Sequence, residues 1–530
     1  MNKETNHTHD SLPQYPESYW RDSVELPIFP RLNENKKADA VIVGGGIAGI
    51  TTAYLLVKEG LSVILLEAST ILNGTTGHTT AKITAQHDVI YDELINKVGL
   101  ENARLYYQAN MDAIHFIKQT IQDHSIDCGY SEQDAYLYTN SEEGLTKLKK
   151  EAEAYKKLGI QGEEVEKMPL DVPLKGSLVM KNQAKFHPLQ YLATLVKYIL
   201  EHGGSIYEHT TAEDVEKVNV VDKKVTTADQ HEIVCSHVVS CSHFPFHDGL
   251  GFYFARMYAE RSYVLAYKTD NDFPEGMYLS VDTPQRSVRT TPLADGQKLV
   301  IIGGGSHKTG QGICTIEYYE ALQEFAEKKF GLRNISYRWS AQDLITTDKI
   351  PYIGKLSGGS EHIYVATGFR KWGMSQGTLS ALLLRDIILK RENQYEKLYS
   401  PTRFDLATDG KNLAVQNADV AKHLIAGKLE IVREKAENLA HGQGGVVSVN
   451  GKRAGAYRDE EGELYVVDTT CTHMGCEVEW NEGERSWDCP CHGSRFSYTG
   501  DVMEGPAKKS LARLQTNTNN IDNVDNEILS

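Results

Sequence analysis

The 530-residue sequence predicts a parallel α/β domain, an attached α+β region built on an antiparallel sheet, and a small all-β domain near the C-terminus. Three observations predict this organisation. A strand, a glycine turn, a helix and a second strand follow one another within residues 41–67. Residues 262–302 alternate as strands do, with turn signals between the runs. Short β-branched runs separated by glycines follow residue 429.

Composition excludes several classes of protein. A formal net charge of −16 argues against a nucleic-acid partner or an anionic membrane surface, because both would repel the chain. No apolar run approaches the roughly 18–20 residues of a membrane span, so we expect no transmembrane segment. The polar N-terminus lacks the apolar core of a secretory signal. We therefore expect a cytoplasmic enzyme.

Residues 41–67, VIVGGGIAGITTAYLLVKEGLSVILLE, have the pattern of a Rossmann-like dinucleotide-binding unit. Gly44, Gly46 and Gly49 take the G-x-G-x-x-G spacing between an apolar strand and an apolar helix. These glycines permit a tight turn, close approach of a pyrophosphate and close helix packing. Glu67 ends the second strand about 20 residues later, where a carboxylate accepts hydrogen bonds from ribose hydroxyls. The stretch predicts an ADP-binding site.

Two further stretches are candidates for the rest of that site. The loop ILNGTTGHTTAKIT (71–84) is placed to wrap the cofactor, with a plain turn as the alternative. A predicted strand at 363–366 runs into a glycine turn at 367–374 and an apolar helix, whose N-terminus suits an anion. By contrast, VIIGGGSHKTG (300–310) lacks the third glycine, the helix and the acid, and predicts a tight hairpin. We therefore expect no second nucleotide site.

On these motifs, residues 38–395 resemble the D-amino-acid oxidase superfamily of FAD enzymes, nearest the glycine oxidase, sarcosine oxidase and D-amino-acid dehydrogenase group. The resemblance implies FAD bound by Gly44, Gly46, Gly49 and Glu67. It also implies that FAD is bound by residues of the loop 71–84 and of the glycine turn 367–374. These residues are Thr75, Thr76, Thr79, Thr80, Gly368, Gly373 and Met374. It implies an FAD-binding part made of residues 38–90, 181–250 and 336–395. It also implies a substrate-type part made of residues 91–180 and 251–335.

Members of this superfamily oxidise a C–N bond by passing a hydride to the flavin, a step that needs orientation more than an acid–base pair. The resemblance therefore implies a small amine or amino acid as substrate. Arg261, Arg289 and Arg370 are candidates for its carboxylate, because a guanidinium matches a carboxylate bidentately. Possible pocket-lining residues are Tyr253, Tyr258 and Tyr263. For each of these six, an ordinary core or surface role is the alternative.

Four cysteines and two histidines crowd into residues 471–492. Their spacing is Cys471-x-His473, then fifteen residues, then Cys489-x-x-His492. Two thiolates and two imidazoles suit either tetrahedral zinc or a [2Fe–2S] cluster with both imidazoles on one iron. The C-x-H spacing is unusual for zinc, whose paired ligands are normally separated by two to four residues. Both metals stay open on spacing alone, with the cluster favoured.

The whole stretch 429–514 resembles a Rieske domain of the disulfide-containing type found in cytochrome bc complexes, with residues 505–507 as its proline loop. The resemblance implies that Cys471 and Cys489 bind one iron and that His473 and His492 bind the other. It also implies a disulfide between Cys476 and Cys491, which is uncommon in the cytosol and would be protected by burial.

Ser494 is placed to donate a hydrogen bond toward the cluster or a cysteine sulfur. In quinol-oxidising Rieske proteins a tyrosine stands two residues after this serine, and here that position is Phe496. Losing a hydroxyl that bonds a cysteine sulfur predicts a potential below the quinol-oxidising range.

The predicted segments are a lead-in pinned by aromatic residues, an oxidoreductase domain, a linker, a Rieske domain and a polar tail, at 1–37, 38–395, 396–428, 429–514 and 515–530. Together they predict a dehydrogenase whose electrons leave singly to an external acceptor, either a protein or a quinone. Two alternatives stay open. One is an electron-transfer module that reduces a partner protein. The other is an oxidase with a zinc-bound interaction module.

Overall fold

The computed structural model describes residues 12–13, 15–248, 250–312, 314–403 and 434–515, together with 420, 422, 424 and 432. Its chain divides into two compact units, one of residues 1–307 and 317–414, the other of residues 308–316 and 415–530. Most of the predicted linker and the predicted C-terminal tail lie outside the described residues. Among the described residues, no helix has the length and apolar character needed to cross a lipid bilayer.

The helices are mostly in the first unit. They are α1 Tyr19–Asp22, α2 Ile47–Lys58, α3 Tyr91–Val98, α4 Leu100–Asp123, α5 Glu142–Leu158, α6 Pro188–Glu201, α7 Tyr253–Arg256, α8 Ile316–Phe330, α9 Gly373–Ile388 and α10 Glu396–Tyr399.

Strands alternate with these helices up to residue 367. They are β1 Lys36–Val43, β2 Val63–Leu66, β3 Lys82–Ile83, β4 Ser131–Thr139, β5 Gly162–Val165, β6 Gly176–Lys185, β7 Ser205–Tyr207, β8 Ala212–Lys217, β9 Lys223–Thr227, β10 Glu232–Ser240, β11 Met257–Thr269, β12 Met277–Ser280, β13 Arg286–Pro292, β14 Lys298–Lys308, β15 Ile335–Thr346, β16 Tyr352–Lys355 and β17 Ile363–Thr367.

The first unit contains two sheets. The eight-stranded sheet has the order β16-β17-β10-β1-β2-β7, with β9 on β10 and β8 on β9. Its central pairs, β2 with β1, β1 with β10 and β10 with β17, are parallel, as an α/β domain with crossover helices requires. Helix α2 packs against both α6 and α9. The predicted α/β domain is therefore confirmed.

The nine-stranded sheet has the order β15-β11-β14-β13-β12-β4-β6-β3, with β5 on β6. The pairs β11–β15, β12–β13, β13–β14 and β4–β6 are antiparallel, whereas β12 and β4 are parallel. The predicted antiparallel sheet is therefore also confirmed. Strand β15 belongs here, because it pairs with β11 from Met257↔Thr346 onward. The sheet boundary therefore differs from the predicted one, which placed residues 336–346 in the FAD-binding part.

Residues 88–125 form two helices, because Gly99 takes a positive φ of 85° between α3 and α4. One local prediction was wrong. The hairpin expected at 300–310 is a continuous strand, since Gly303 and Gly304 pair with Ser287 and Arg286 within β14 and β13. A side chain on Gly304 would meet the Gln285 carbonyl oxygen at 2.6 Å, so close strand packing explains that glycine.

The N-terminal lead-in is fixed to the body as predicted. Trp20 is fully buried and Phe29 is 9% exposed, and both belong to the main core of the first unit.

The second unit contains two small antiparallel sheets, which confirms the predicted all-β domain. Their strands are β18 Gly444–Val449, β19 Lys452–Arg458 and β20 Leu464–Val467, then β21 Glu479–Asn481, β22 Ser486–Asp488, β23 Arg495–Ser497 and β24 Val502–Glu504. Of the predicted linker, Val420 and Leu424 pack against the cysteine-lined core of this unit.

Candidate redox centres

The turn between β1 and α2 has room for backbone only. Gly44 has a φ of 111°, and a Cβ there would lie 2.4 Å from the Cys241 carbonyl oxygen. A Cβ on Gly49 would lie 1.9 Å from the Gly44 carbonyl oxygen, so no side chain fits between helix and turn. Helix α2 begins at Ile47, after Gly46, without a side-chain cap. The positive dipole end of the helix therefore faces this turn, as a phosphate site needs.

Glu67 stands directly beyond the end of β2, beside that turn. Its carboxylate accepts hydrogen bonds from the Gly45 nitrogen at 2.8 Å and the Ser69 nitrogen at 2.9 Å. Burial raises the pKa of the Glu67 carboxyl, while these N–H donors oppose the rise. The carboxylate remains half-buried rather than sealed, so it can reach a ribose hydroxyl.

Residues 75–80, here called the threonine loop, connect the N-terminus of α2 with the second sheet. The loop forms a 3₁₀ turn over Thr75–His78, in which Thr76 Oγ1 accepts a hydrogen bond from the Ile47 nitrogen at 3.1 Å. The Thr75 hydroxyl donates to the Gln342 carbonyl oxygen at 2.9 Å. Thr79 Oγ1 accepts from the Ala81 nitrogen at 2.9 Å. Thr80 faces Gly303, where a Cβ would lie 3.7 Å from the threonine methyl carbon.

The turn between β17 and α9 is the second glycine turn. Gly368 has a φ of 80°, and a Cβ there would meet the Thr346 methyl carbon at 2.5 Å. Helix α9 begins at Gly373 without a side-chain cap, and Met374 behind it is buried. The N-terminus of α9 thus offers uncapped donors, as the sequence predicted.

Three buried cations lie close to the end of the threonine loop. Arg289 is fully buried, and it donates to the Ala81 carbonyl oxygen at 2.5 Å. Its Nε and Nη2 atoms have no hydrogen-bond partner. Lys82 bonds the Ser287 hydroxyl, and burial next to Arg289 lowers the pKa of Lys82 to about 7. Lys185, the third cation, pairs with Glu275.

Among the described residues, no carboxylate forms an ion pair with Lys82 or Arg289. Burial lowers the pKa of Arg289 to about 9, against a partial opposing effect of Glu275. A buried cation without a counterion is costly, so the Lys82–Arg289 pair favours an incoming anion. The sequence placed Arg289 among its candidates but missed Lys82, because spacing does not show which buried charge lacks a partner.

The other two candidate arginines make protein contacts. Arg261 is fully buried and donates to the Ser340 hydroxyl at 2.6 Å. Arg370 donates to the His87 carbonyl oxygen at 2.5 Å, below the imidazole that stacks on Trp372. These contacts do not bring Arg261 or Arg370 to the Lys82–Arg289 pair.

The three candidate tyrosines are also engaged with the protein. The hydroxyl of Tyr253 donates to the Leu356 carbonyl oxygen at 2.6 Å. The hydroxyl of Tyr263 lies 3.0 Å from His307 Nε2, and its ring stacks on Tyr318. Burial raises the pKa of Tyr258 to about 12. Burial likewise raises the pKa of Tyr253, so Tyr253 and Tyr258 stay protonated near neutral pH.

The cysteine–histidine centre is assembled in the second unit. Cys471 and Cys489 are 2% and 1% exposed, and a hydrogen bond between their thiols lowers the pKa of Cys471 to about 7. The imidazoles of His473 and His492 lie edge to face with ring centroids 5.0 Å apart. His473 is partly exposed, whereas His492 is buried. The structure thus brings the two thiols together and the two imidazoles together on the two ligand loops.

Two loops hold this centre. Cys476 and Cys491 are joined in a disulfide that ties the two ligand loops together, as expected. Their sulfur atoms lie within 4.8 Å of Cys489 Sγ, but the disulfide leaves only Cys489 of these three free to bind metal. The Ser494 side chain bonds the Cys471 sulfur and accepts from the Ala507 nitrogen at 3.0 Å. The serine thereby joins the proline loop to a ligand.

A buried arginine ties together the strands that flank the Cys489 ligand loop. Arg495 forms ion pairs with Asp488 at 3.0 Å and Glu504 at 2.7 Å. It also donates to the Ser486 hydroxyl at 3.0 Å. Because Asp488 directly precedes Cys489, this network fixes one end of the ligand loop.

Residues 39–387 match the FAD dependent oxidoreductase family, and residues 430–516 match the Rieske [2Fe-2S] domain. The chain belongs to the FAD-dependent oxidoreductase family and carries a C-terminal Rieske domain. The second match overturns the zinc alternative for residues 471–492.

Two relatives and one solved structure illustrate the likeness. The "Putative Rieske 2Fe-2S iron-sulfur protein YhfW" of Bacillus subtilis (strain 168) is 53% identical over 499 residues, covering 94% of this chain and 97% of that protein. The cytochrome b6-f complex iron-sulfur subunit 1 of Nostoc sp. (strain PCC 7120) is 50% identical over 56 residues, covering 11% and 31% of the respective chains. The glycine oxidase of Geobacillus kaustophilus superposes with a TM-score of 0.58 at 18% identity, over 70% of this chain and all of that one.

The residues present fit both cofactors of this FAD-dependent oxidoreductase. The side-chain-free turn, the uncapped helix and Glu67 match the pyrophosphate and ribose of FAD. Two buried thiols and two facing imidazoles form the donor set of a Rieske cluster. FAD therefore belongs to the first unit and the [2Fe-2S] cluster to the second.

Proposed function

We propose that this FAD-dependent oxidoreductase is a dehydrogenase that oxidises a C–N bond of a small amine or amino acid. In this proposal its electrons leave one at a time, through the Rieske centre, to a one-electron acceptor protein or a quinone. One observation carries the proposal: a flavin site and a Rieske ligand set occur on the same chain. When bound, FAD supplies a two-electron acceptor and the cluster supplies a one-electron carrier.

The proposed reaction removes two electrons and two protons from the substrate. The carbon loses its hydrogen with the bonding electron pair, the nitrogen loses a proton, and a C=N bond forms. The two electrons then reduce two equivalents of the one-electron acceptor, and the hydrogen from the carbon is released as the second proton. Dioxygen is not required, which is why a dehydrogenase is favoured over an oxidase.

The Lys82–Arg289 pair supports a substrate that carries a carboxylate. A carboxylate there would accept hydrogen bonds from the unpartnered Arg289 nitrogens and from Lys82. The location also supports this role, since Arg289 bonds Ala81 and Lys82 follows Ala81 directly, two residues after Thr80 of the threonine loop. We therefore favour an amino acid over a simple amine, with Lys82 and Arg289 as its carboxylate-binding residues.

The experiment is an anaerobic substrate screen on the purified protein loaded with both cofactors. We expect amino acids to bleach the flavin absorbance faster than the matching amines that lack the carboxylate. Arg289→Lys should raise KM for the amino acid at least tenfold and leave the rate with the matching amine nearly unchanged. Arg286→Lys is the matched control, because Arg286 lies on the same strand and bonds the Gln285 carbonyl oxygen instead.

Two outcomes would contradict this assignment. Equal reduction of the flavin by amino acids and their decarboxylated analogues would exclude a carboxylate site at Lys82 and Arg289. A flavin that no amine or amino acid reduces, but that an electron-donor protein does, would favour the electron-transfer module. The cytoplasmic location expected from the sequence stays a prediction.

A further inference from the structure

The iron–sulfur unit is discontinuous in sequence. Residues 308–316, here called the insert segment, belong to the second unit although the chain on both sides belongs to the first. The segment leaves the end of β14 and enters α8. Its Thr309 is 2% exposed and its Thr315 is 9% exposed, so both threonine side chains are buried.

The insert segment contacts the backbone of the cluster-ligand loop directly. Gly310 has a φ of 71°, and a Cβ there would lie 2.5 Å from the Pro490 nitrogen and 2.7 Å from the Cys489 carbonyl carbon. The Gln311 side chain also donates to the Pro490 carbonyl oxygen at 3.2 Å. Only glycine therefore permits this contact, since the neighbouring atoms are backbone and cannot rotate away.

A second contact reaches the same ligand loop through side chains. The Thr315 hydroxyl donates to Asn481 Oδ1 at 2.7 Å and accepts from the Gly483 nitrogen at 2.9 Å. The Asn481 amide then donates to Asp488 Oδ2 at 2.7 Å. Asp488 immediately precedes the ligand Cys489, so this buried chain of hydrogen bonds ends at the cluster loop.

We infer that the insert segment is a positioning element of the Rieske centre, supplied by the oxidoreductase sequence, and that Gly310 and Thr315 hold the Cys489 ligand loop in place. The loop is thus held by the disulfide, by Arg495 and by the insert segment. This inference rests on the Rieske assignment and not on the proposed substrate chemistry.

The test uses the full-length protein carrying both cofactors, reduced with dithionite so that no substrate is needed. Gly310→Ala should shift the g-values of the reduced cluster and increase amide hydrogen exchange in the peptide containing Gly483. Thr315→Val keeps the side-chain volume and removes the hydroxyl, and it should speed that exchange about tenfold, as expected for one lost hydrogen bond. Thr315→Ser, which restores the hydroxyl, should return the exchange toward the wild-type rate.

The matched control is Gly451→Ala in the same unit. Gly451 has a φ of 75°, close to that of Gly310, but a Cβ there meets nothing within 4 Å. It carries the same backbone strain without the contact, so its cluster spectrum should stay as in the wild type. Wild-type g-values and exchange in both Gly310→Ala and Thr315→Val would overturn the inference. If Gly310→Ala loses its cluster, the exchange rates of Thr315→Val and Thr315→Ser decide whether the inference holds.

Discussion

His473 and His492 lie edge to face at 89°, and the first of them is partly exposed while the second is only 5% exposed. An electron carrier needs one accessible side for its acceptor and a shielded remainder. The histidine pair gives this asymmetry, because the cysteine ligands and the disulfide are all buried. We therefore expect an external acceptor to approach on the His473 side.

The disulfide should be needed to hold the two ligand loops. Replacing both Cys476 and Cys491 by serine removes a cross-link with a sequence separation of 15. A loop of that size is worth about 3 kcal/mol, so the iron–sulfur unit should unfold at lower denaturant concentration. Cluster absorbance followed during urea titration measures this. An unchanged midpoint for cluster loss would contradict a clamping role.

Phe496→Tyr should raise the reduction potential of the cluster. Phe496 is fully buried in the same core as Cys471 and Cys489, so an added hydroxyl there can donate to a cysteine sulfur. A hydrogen bond that favours the reduced form by about 1 kcal/mol raises a one-electron potential by about 40 mV. Potentiometric titration checks this, with Tyr498→Phe as the control because Tyr498 packs on Tyr457 and Tyr465. A wild-type midpoint near the top of the Rieske range would contradict the predicted low potential.

Binding of a small carboxylate such as acetate should weaken as pH rises above about 7. The pKa of Lys82 is about 7 because burial and Arg289 disfavour its charge. Above that pH the empty site holds neutral lysine, so binding requires proton uptake and Kd rises up to about tenfold per pH unit. Below that pH, Kd should be flat. Flavin difference spectra between pH 6 and 8.5 measure the affinity.

Lys82→Met should bind acetate more weakly and without this pH dependence. Lys185→Met is the control, because Lys185 is paired with Glu275 and its loss should leave the pH dependence in place. A pH-dependent affinity that persists in Lys82→Met would assign the titration to another group.

Arg495→Met should strongly destabilise the iron–sulfur unit. The change leaves Asp488, which is 2% exposed, without its cation, and breaking a buried ion pair costs about 3–5 kcal/mol. Arg513→Met is the control, since its pair with Asp501 is exposed and should contribute about 0.5 kcal/mol or less. Denaturant unfolding of both variants gives the comparison, and equal losses of stability would refute the role given to Arg495.

Local patterns predicted both cofactors, FAD and the [2Fe-2S] cluster. The flavin turn is encoded within residues 41–67, and the four cluster ligands lie within residues 471–492. Spacing and residue type are visible in such short stretches because each has one compatible backbone geometry. The disulfide followed from the resemblance to known Rieske domains, and the structure confirms it.

Long-range pairing was not predictable in the same way. Strand β15 joins the second sheet by pairing with β11, a partner that lies more than sixty residues earlier in the chain. The Lys82–Arg289 pair and the contacts of the insert segment likewise depend on which distant residues meet. Periodicity in the sequence reports burial along one element, but it does not identify the partner or the missing counterion.

The most direct test of the proposed electron path is rapid anaerobic mixing of the protein with a substrate that reduces its flavin. Flavin absorbance and the electron paramagnetic resonance signal of the reduced cluster are followed together. We expect the cluster signal to grow at least as fast as turnover with a one-electron acceptor. A flavin that is reduced while the cluster stays oxidised over many turnover times would contradict it.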